Sequence, residues 1–405
     1  MKFLINAFCA AAVVALFASC DDKEGSSSTD VSFSFSMPDG HTSDVVADSA
    51  SLSITDVANG DQMSFLVPTS GGFTLSLPDG LYNMTFVLNA SHSAGGEAAE
   101  ETFRDSRQGV KVVDGQMSVA FSLARIAGGQ GFVLADICLV SRLAEGLKSY
   151  MGDAWFRIAN NSADTLFADG LCIVESDFNS GKTGRRDYTP DIMSEAISVQ
   201  AVYQIPGGGH DVPVLPGGSL LIADVAKDHR ADNALSFDLS KADFEWYDEG
   251  KDIDTEAPNL TCVFKRSKTL WIPSVQYNRT YAIGFLGGAP GKMTAEAYLA
   301  DYKYDYSYVT MVKETEKVMT GSAYRFENDW VLDAVAFAPS SDFGWSVVAQ
   351  SLDAGHVSMG ETGGDASRRG KSARRRFEGG VFADSNNSSD DFVVVDEADP
   401  YYVFK

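Results

Sequence analysis

The sequence predicts an all-β protein with two β-domains in series. Residues 31–36 alternate apolar and polar side chains with a period of two, which is typical of a half-buried strand. Farther along, Pro216-Gly217-Gly218 gives a turn signal directly before the apolar run 219–223, the pattern of a buried strand. The 405 residues, of which 44% are hydrophobic, are too many for one small domain and suffice for more than one core.

Residues 1–19 have the pattern of a secretion signal peptide. Lys2 supplies a positive charge, and an apolar stretch too short to span a bilayer runs from residue 7 to residue 17. Small residues, Ala18 and Ser19, then precede Cys20, an order that resembles the lipobox of bacterial lipoproteins. The resemblance implies that the Cys20 thiol carries the lipid anchor. Ordinary cleavage, which would leave Cys20 as a free thiol, is the alternative.

The acidic residues after Cys20 resemble the surface-export signal of Bacteroidota-type lipoproteins. Residues 20–30 are rich in Ser, Asp and Glu, and their composition indicates a flexible tether. The sequence therefore predicts an outer-membrane lipoprotein, attached to the membrane through its N-terminal lipid and exposed at the cell surface.

The formal net charge of −24 argues against nucleic acid as a partner, because the chain repels a polyanion over most of its surface. The sequence contains no G-x-S-x-G, P-loop or Rossmann motif, and its five histidines show no metal-ligand spacing. No cofactor is implied. His229 is expected to order a loop or lie on the surface rather than to catalyse a reaction.

Cys138, Cys172 and Cys262 each lie in an apolar, strand-like run. We expect buried cysteines that act as small hydrophobic side chains. A disulfide between Cys138 and Cys172 is the alternative, and no zinc site is supported.

Residues 31–125 are predicted to form the first β-domain. Residues 72–87 give a strand, a turn at Pro78-Asp79-Gly80 and a second strand. This stretch resembles the G-x-F-x-F-x-L-P-x-G-x-Y hairpin of transthyretin-like, carboxypeptidase-regulatory-type modules. The resemblance implies a prealbumin-like sandwich that serves as a spacer or adaptor.

Residues 130–405 are predicted to form the second domain. Three pieces in order (residues 156–171, residues 216–223, and residues 331–335 with the later residues 372–375 and 384–392) resemble the motifs of lamin-tail domains. The resemblance implies an immunoglobulin-like β-sandwich with large loop and short-helix insertions around 177–205 and 240–328. A short helix is predicted at 192–197. As a whole, the chain resembles an uncharacterised family of Bacteroidota lipoproteins of about 400 residues. Because that family has no established activity, the resemblance implies none for this chain.

Alternating tyrosines form the first candidate site. Tyr302, Tyr304, Tyr306 and Tyr308 would line one face of a strand. If that face is exposed, it can stack on sugar rings or on a protein partner. If it is buried, it is an ordinary sheet face.

A basic cluster in an acidic chain forms the second candidate site. It is suited to an anion such as a lipopolysaccharide phosphate, an acidic glycan or an acidic protein surface. The alternative is internal: the cations neutralise neighbouring carboxylates, and one arginine fixes the last strands. The residues are Arg368, Arg369, Lys371, Arg374, Arg375 and Arg376.

Asp248, Asp252 and Asp254 form the third candidate, because carboxylate oxygens are the ligands that Ca²⁺ prefers. Their spacing lacks the order of an EF-hand loop, and a solvated acidic loop is the alternative.

The sequence favours a non-catalytic binding protein over an enzyme. The expected role is an accessory subunit in nutrient uptake, which contacts an outer-membrane β-barrel transporter and binds a glycan or another small ligand. An adhesin or structural component of the cell surface is the alternative. A hydrolase whose acidic site is not recognisable in the sequence comes third.

Overall fold

The chain is mostly β-strand, as the computed structural model shows. The structure describes residues 28–37, 45–56, 62–94, 97–113, 117–126, 131–162, 164–182, 186–378 and 381–404. The predicted signal peptide and Cys20 lie outside these ranges. Multiple sheets and little helix within the described residues confirm the predicted all-β class. In these ranges we find no helix with the length and apolar character needed to cross a membrane.

The first domain contains two sheets. One sheet is three-stranded in the order β4-β1-β7, and the other is five-stranded in the order β3-β2-β5-β6-β8. The first strand begins at residue 28, so the last three residues of the predicted tether lie in a strand. The strands are β1 (Ser28–Ser36), β2 (Val45–Asp56), β3 (Gln62–Val67), β4 (Phe73–Pro78), β5 (Gly80–Ala94), β6 (Glu97–Val112), β7 (Met117–Ser122) and β8 (Ala124–Ile126).

A phenylalanine-rich core holds the first domain together. Strand β1 alternates exposed and buried residues, with Val31 and Phe33 inside, because successive side chains of a strand point to opposite faces. Phe86 of the five-stranded sheet stacks on Phe121 of the three-stranded sheet with ring centroids 5.5 Å apart. The two sheets therefore pack face to face.

Strands β4 and β5 are not the hairpin that the sequence predicts. They follow each other closely, but β4 pairs with β1 whereas β5 pairs with β2 and β6. The Tyr82 hydroxyl donates a hydrogen bond to the Pro78 carbonyl oxygen at 2.9 Å. Pro78 has no N–H with which to continue a ladder, so the chain turns a corner from one sheet to the other.

The second domain contains the remaining elements. Its strands are β9 (Phe132–Cys138), β10 (Trp155–Asn160), β11 (Leu166–Phe167), β12 (Leu171–Ser176), β13 (Ala196–Gln204), β14 (Pro213–Val214), β15 (Ser219–Ala223), β16 (Phe244–Glu245), β17 (Thr261–Lys265), β18 (Thr280–Phe285), β19 (Lys303–Val312), β20 (Thr315–Glu327), β21 (Val331–Ala336), β22 (Ser372–Arg375), β23 (Phe377–Glu378), β24 (Val381–Phe382) and β25 (Phe392–Val395). Its helices are α1 (Ala295–Asp301), α2 (Ser388–Asp391) and 3-10 turns at His229–Ala231, Leu286–Gly288, Asn328–Trp330 and Ala366–Arg368.

Two large sheets form a sandwich in the second domain. The six-stranded sheet has the order β16-β15-β10-β9-β22-β25, and the seven-stranded sheet has the order β19-β20-β13-β12-β18-β21, with β17 also paired to β13. Phe156 of the first sheet packs on Tyr281 of the second, with ring centroids 5.2 Å apart. Strand β9 is buried along its whole length because its other face is covered as well, by a cluster around Phe382.

The predicted insertions contain strands of the sheets. The helix predicted at 192–197 is wrong: β13 begins at Ala196 and is an inner strand of the seven-stranded sheet. The insertion predicted at 240–328 contains β16 to β20. Strand β13 is buried at seven of its nine residues, on both faces, and this place inside the sheet outweighs the helix-start signal of residues 189–191.

Cys138 and Cys172 are free and buried, so they form no disulfide with each other. Cys262 is also free, but it is exposed, contrary to the prediction. It lies near the start of the short strand β17, whose first two residues are both exposed.

Candidate binding surface

Strand β19 carries three of the four candidate tyrosines on one face, as their spacing predicts. Tyr306 lies edge-on to Phe178, with ring centroids 5.2 Å apart, and to Tyr188, at 5.4 Å. Phe178 and Tyr188 stack on each other at 3.9 Å, and Trp345 packs beside them. The tyrosine face is therefore half-buried under side chains from distant parts of the chain.

The remaining tyrosines are also engaged within the fold. Tyr302 follows α1 and packs edge-on against Trp330 at 4.7 Å, away from the other three. The Tyr304 hydroxyl hydrogen-bonds to Ser198, and burial raises the pKa of Tyr304 to about 12. The Tyr306 ring lies directly over Gly321 of β20, where a Cβ atom would come within 2.6 Å of the ring. The candidate tyrosines thus form mainly a packed sheet face.

The open surface lies farther along the same hairpin, in a part that sequence reasoning did not single out. Strand β20 pairs with β13 only through residues 324–327, whereas β19 and β20 pair with each other from Lys303 to the turn. We call the part of the hairpin beyond that pairing, residues 305–322, the hairpin arm. The arm extends past the strand β13 that holds its base.

The hairpin arm exposes an apolar surface. Val309 lies opposite Val318 in the ladder, so the two side chains share a face, and Met311 follows on that face. These side chains are 56%, 69% and 59% exposed, respectively. Scattered exposed hydrophobic residues are ordinary, whereas a contiguous group on a projecting element is typical of an interaction site. Val312, beside the turn, and Met319, opposite Tyr308 on the other face, are also exposed.

A groove of about 490 Å³ runs beside the arm. Thr189 and Ser307 exchange two backbone hydrogen bonds, of 2.8 and 2.9 Å, at the outer edge of β19. Beyond that bridge the groove separates the two segments, and the Arg186 guanidinium lies 5.7 Å from the ring centroid of Tyr308. The groove is lined by Lys182, Arg186, Asp187, Val309, Thr310, Met311 and Glu316.

A second cleft, of about 370 Å³, lies between β17 and residues 270–272. Its cations form ion pairs within the protein, Lys265 with Asp248 and Arg266 with Asp177. The Trp271 indole N–H donates to buried Glu175 at 2.7 Å. This cleft is therefore bordered by groups that already stabilise the sandwich.

The basic cluster is divided among different partners. Arg375 is buried: its guanidinium lies 2.5 Å from an Asp333 carboxylate oxygen and 3.6 Å from one of Asp391. Arg374 pairs with Asp136 at 2.7 Å, and Arg368 donates to the Val275 carbonyl oxygen at 2.7 Å. Arg369 and Lys371 are half-buried, and Arg376 is exposed. Lys371 pairs with Asp396 at 3.0 Å, and Arg376 donates to the Asp390 carbonyl oxygen at 2.8 Å. The structure thus engages five of these six cations internally, including an arginine that ties the last strands.

The calcium candidates are not gathered around one point. The buried Asp248 carboxylate accepts hydrogen bonds from the Tyr203 hydroxyl at 2.5 Å and the Trp271 N–H at 2.6 Å. Asp252 and Asp254 lie on the following loop, where they accept hydrogen bonds from local groups. In the part of the chain that the structure describes, no three His, Cys, Asp or Glu side chains are arranged to hold a metal ion.

Two loops are ordered by buried polar residues. His229 lies between the Tyr150 hydroxyl and the Val225 carbonyl oxygen, both at 2.8 Å, which fits the expected loop-ordering role. The Asp169 carboxylate accepts three backbone N–H bonds of 2.9 Å from residues 209–212. Burial opposes ionisation of Asp169, but these donors together hold its pKa below the usual value. The glycine-rich loop 207–209 therefore wraps a carboxylate of its own chain.

Comparison with known proteins finds a family model that matches part of the chain. Residues 215–398 match the family model of DUF4876, described as a protein of unknown function. The matched part, somewhat less than half of the chain, runs from β15 to β25 and contains the hairpin arm. No curated protein matches the sequence.

A crystal structure of a DUF4876 family protein from Bacteroides thetaiotaomicron is similar over 93% of this chain and 98% of that chain, with 18% identity and a TM-score of 0.57. The likeness shows a shared fold. A protein from Bacteroides ovatus, proposed to be an adhesin, covers 76% of this chain and 88% of its own at 8% identity, but its TM-score of 0.19 is too low to support an argument. The DUF4876 match supports the predicted resemblance to an uncharacterised family.

Proposed function

We propose that the protein is a non-catalytic binding protein at the bacterial cell surface that serves as an accessory subunit in nutrient uptake. The lipid on Cys20 would hold it to the outer membrane, and the hairpin arm would contact an outer-membrane β-barrel transporter. The exposed apolar face of Val309, Met311 and Val318 on a projecting element carries this proposal.

The energetics of the arm support a protein partner. Burying one large aliphatic side chain completely contributes about 1.5–3 kcal/mol. Three neighbouring side chains on one face are therefore enough to form the centre of an interface. Chains with a net charge of −24 repel each other, which opposes non-specific association. An exposed apolar surface on such a chain is therefore better explained by a specific partner.

The engagement of buried acids supports a role without catalysis. Glu175 accepts hydrogen bonds from Trp271 and the Tyr281 hydroxyl, and Asp333 pairs with Arg375. Carboxylates held in this way stabilise the sandwich. They are poorly placed to exchange protons with a substrate.

Purification of the tagged protein from native outer membranes tests the proposal. We expect a β-barrel transporter to co-purify with the wild type and to be lost when the arm is changed by Val309→Ser and Val318→Ser together. Leu66→Ser, at a residue that is 84% exposed in the first domain, is the matched control and should retain the transporter. The proposal fails if no β-barrel accompanies the wild type, or if the double variant retains it.

Assembly at the cell surface is the second candidate function. The outer edge of β19 next to the groove favours it, because an edge strand can also pair with another copy of the same chain. Self-association of the purified wild type without a β-barrel would favour this alternative. The half-buried tyrosine face makes sugar stacking a weaker explanation of the same hairpin.

A further inference from the structure

The second cleft has the size and the lining of a small-molecule site. Its volume of about 370 Å³ lies within the range of about 300–1,000 Å³ that is typical of ligand sites in proteins. Such sites combine apolar side chains with a few polar groups that orient the ligand. Here the apolar part is Leu270, Trp271 and Ile272, and the polar part includes Gln200 and Arg266. The cleft therefore offers a ligand both apolar contact and hydrogen bonds.

The apolar part of the cleft is held in place by the sandwich. The Trp271 backbone N–H donates to Asp248 at 2.6 Å, and its indole N–H donates to Glu175 at 2.7 Å. Because Trp271 is anchored twice, its chain neighbours Leu270 and Ile272 are held at the cleft as well. Ile272 is 43% exposed and can contact a ligand directly. A site formed in advance loses little conformational entropy when it binds.

The charges that line the cleft are balanced within the protein. Lys265 pairs with Asp248, and Arg266 pairs with Asp177. Both carboxylates are buried, so each lining cation already has an opposite charge beside it. An anionic ligand would be desolvated here without gaining an unpaired cation. The cleft is therefore better suited to a neutral ligand.

Arg266 and Gln200 keep hydrogen-bonding capacity after their internal bonds are made. The two are neighbours, since the Arg266 backbone N–H donates to the Gln200 carbonyl oxygen at 2.7 Å. Arg266 uses Nη2 for Asp177 and for the Ser322 carbonyl oxygen, whereas its Nε and Nη1 have no partner among the described residues. Gln200 donates through Nε2 to Glu175 at 2.8 Å, and no described residue donates to its Oε1. Hydroxyl groups suit this pair because they both accept and donate.

We propose that the second cleft binds a neutral sugar, either as a single ring or as the end of a glycan chain. A sugar ring has hydroxyl groups at its edge and apolar C–H groups on its faces, so it matches both parts of the lining. The cleft lies beside β17, and the hairpin arm does not line it. The proposal goes beyond the contact of the arm with a transporter and does not depend on it.

Saturation-transfer NMR on the purified chain tests the proposal. The probes are D-glucose, D-galactose, D-mannose, N-acetylglucosamine, maltose and cellobiose, with glucuronic and galacturonic acid as charged counterparts. Arg266→Lys keeps a cation for Asp177 but removes the Nε and Nη1 donors. Ile272→Ser removes an exposed apolar contact. Leu235→Ser is its matched control, because Leu235 is 52% exposed and does not line the cleft.

We expect saturation transfer to at least one neutral sugar and weaker transfer to its charged counterpart. The dissociation constant of that sugar should rise about three- to tenfold with Arg266→Lys and with Ile272→Ser, and should not change with Leu235→Ser. In the wild type, the bound sugar should slow the deuterium exchange of residues 265–272, a measurement that does not depend on how any variant folds.

Three results would overturn the proposal: no transfer to any neutral sugar, stronger transfer to a uronic acid than to the neutral sugars, or unchanged binding in both cleft variants. Each of them would leave the role of the hairpin arm standing, because co-purification of a β-barrel tests that role separately.

Discussion

Replacing Arg375 with methionine is the sharpest test of how the second domain is held together. The Arg375 side chain is buried and donates to the Leu134 carbonyl oxygen at 2.9 Å and to Asp333 at 2.5 Å. It also lies 3.5 Å from Asp384 and 3.6 Å from Asp391. Methionine fills a similar volume but leaves buried carboxylates without their cation. Removing one member of a buried ion pair costs about 3–5 kcal/mol, so we expect the free energy of unfolding to fall by that amount.

Urea denaturation followed by tryptophan fluorescence measures this loss in the second domain alone, because every tryptophan of the chain lies there. The tryptophans are Trp155, Trp246, Trp271, Trp330 and Trp345.

The neighbouring Arg376→Met substitution is the matched control for Arg375→Met. Arg376 is exposed, and we expect a change within about 0.5 kcal/mol. The combination of Arg375→Met with Asp333→Leu should be less destabilised than Arg375→Met alone, because one unpaired charge is gone. If Arg375→Met costs no more than Arg376→Met, Arg375 does not hold the sheets together as described.

Three further predictions follow from local features of the second domain. Gly207→Ala should lower the free energy of unfolding by about 1–3 kcal/mol, because φ of Gly207 is +151° and a Cβ atom there would collide with the Asp169 carboxylate. Gly208→Ala should be tolerated in the same urea titration. Burial raises the pKa of Asp353 to about 6, so the folded state holds a proton that the unfolded state has released between about pH 4 and pH 6. The unfolding free energy of the wild type should therefore fall as pH rises through that window, and Asp353→Asn should remove up to about 1.4 kcal/mol per pH unit of that slope. Lys313 and Glu314 form the arm's turn at φ of 47° and 64°, so changing them to Asn and Gly should slow amide exchange in the arm, and unchanged exchange would contradict the strained turn.

The period of the side chains predicted much of the fold, because burial on one face of a strand leaves a direct pattern in the sequence. Val31 and Phe33 are buried as their alternation predicts, and Tyr304, Tyr306 and Tyr308 share a face as their spacing predicts. Pairing partners leave no such pattern. Residues 72–87 therefore suggested a hairpin, although Pro78 directs the two strands into different sheets.

The candidate surface was less predictable for the same reason. The tyrosines were visible in the sequence, but Phe178 and Tyr188, which cover Tyr306, lie more than 100 residues away along the chain. The turn of the hairpin arm contains Lys313 and Glu314 instead of glycine or asparagine, so it gave no turn signal. Likewise, the basic cluster could suggest a locking arginine but could not identify Arg375, whose partners Asp333 and Leu134 lie on the distant strands β21 and β9.

Photo-crosslinking in living cells tests the proposed contact of the arm most directly. A photoreactive amino acid would replace Val318 on the arm in one strain and Leu66 in the first domain in another, since both side chains are largely exposed. We predict that irradiation links position 318, but not position 66, to an outer-membrane β-barrel transporter. Absence of a crosslink to such a protein at position 318, or equal crosslinking at both positions, would contradict the proposal that the hairpin arm is the binding surface.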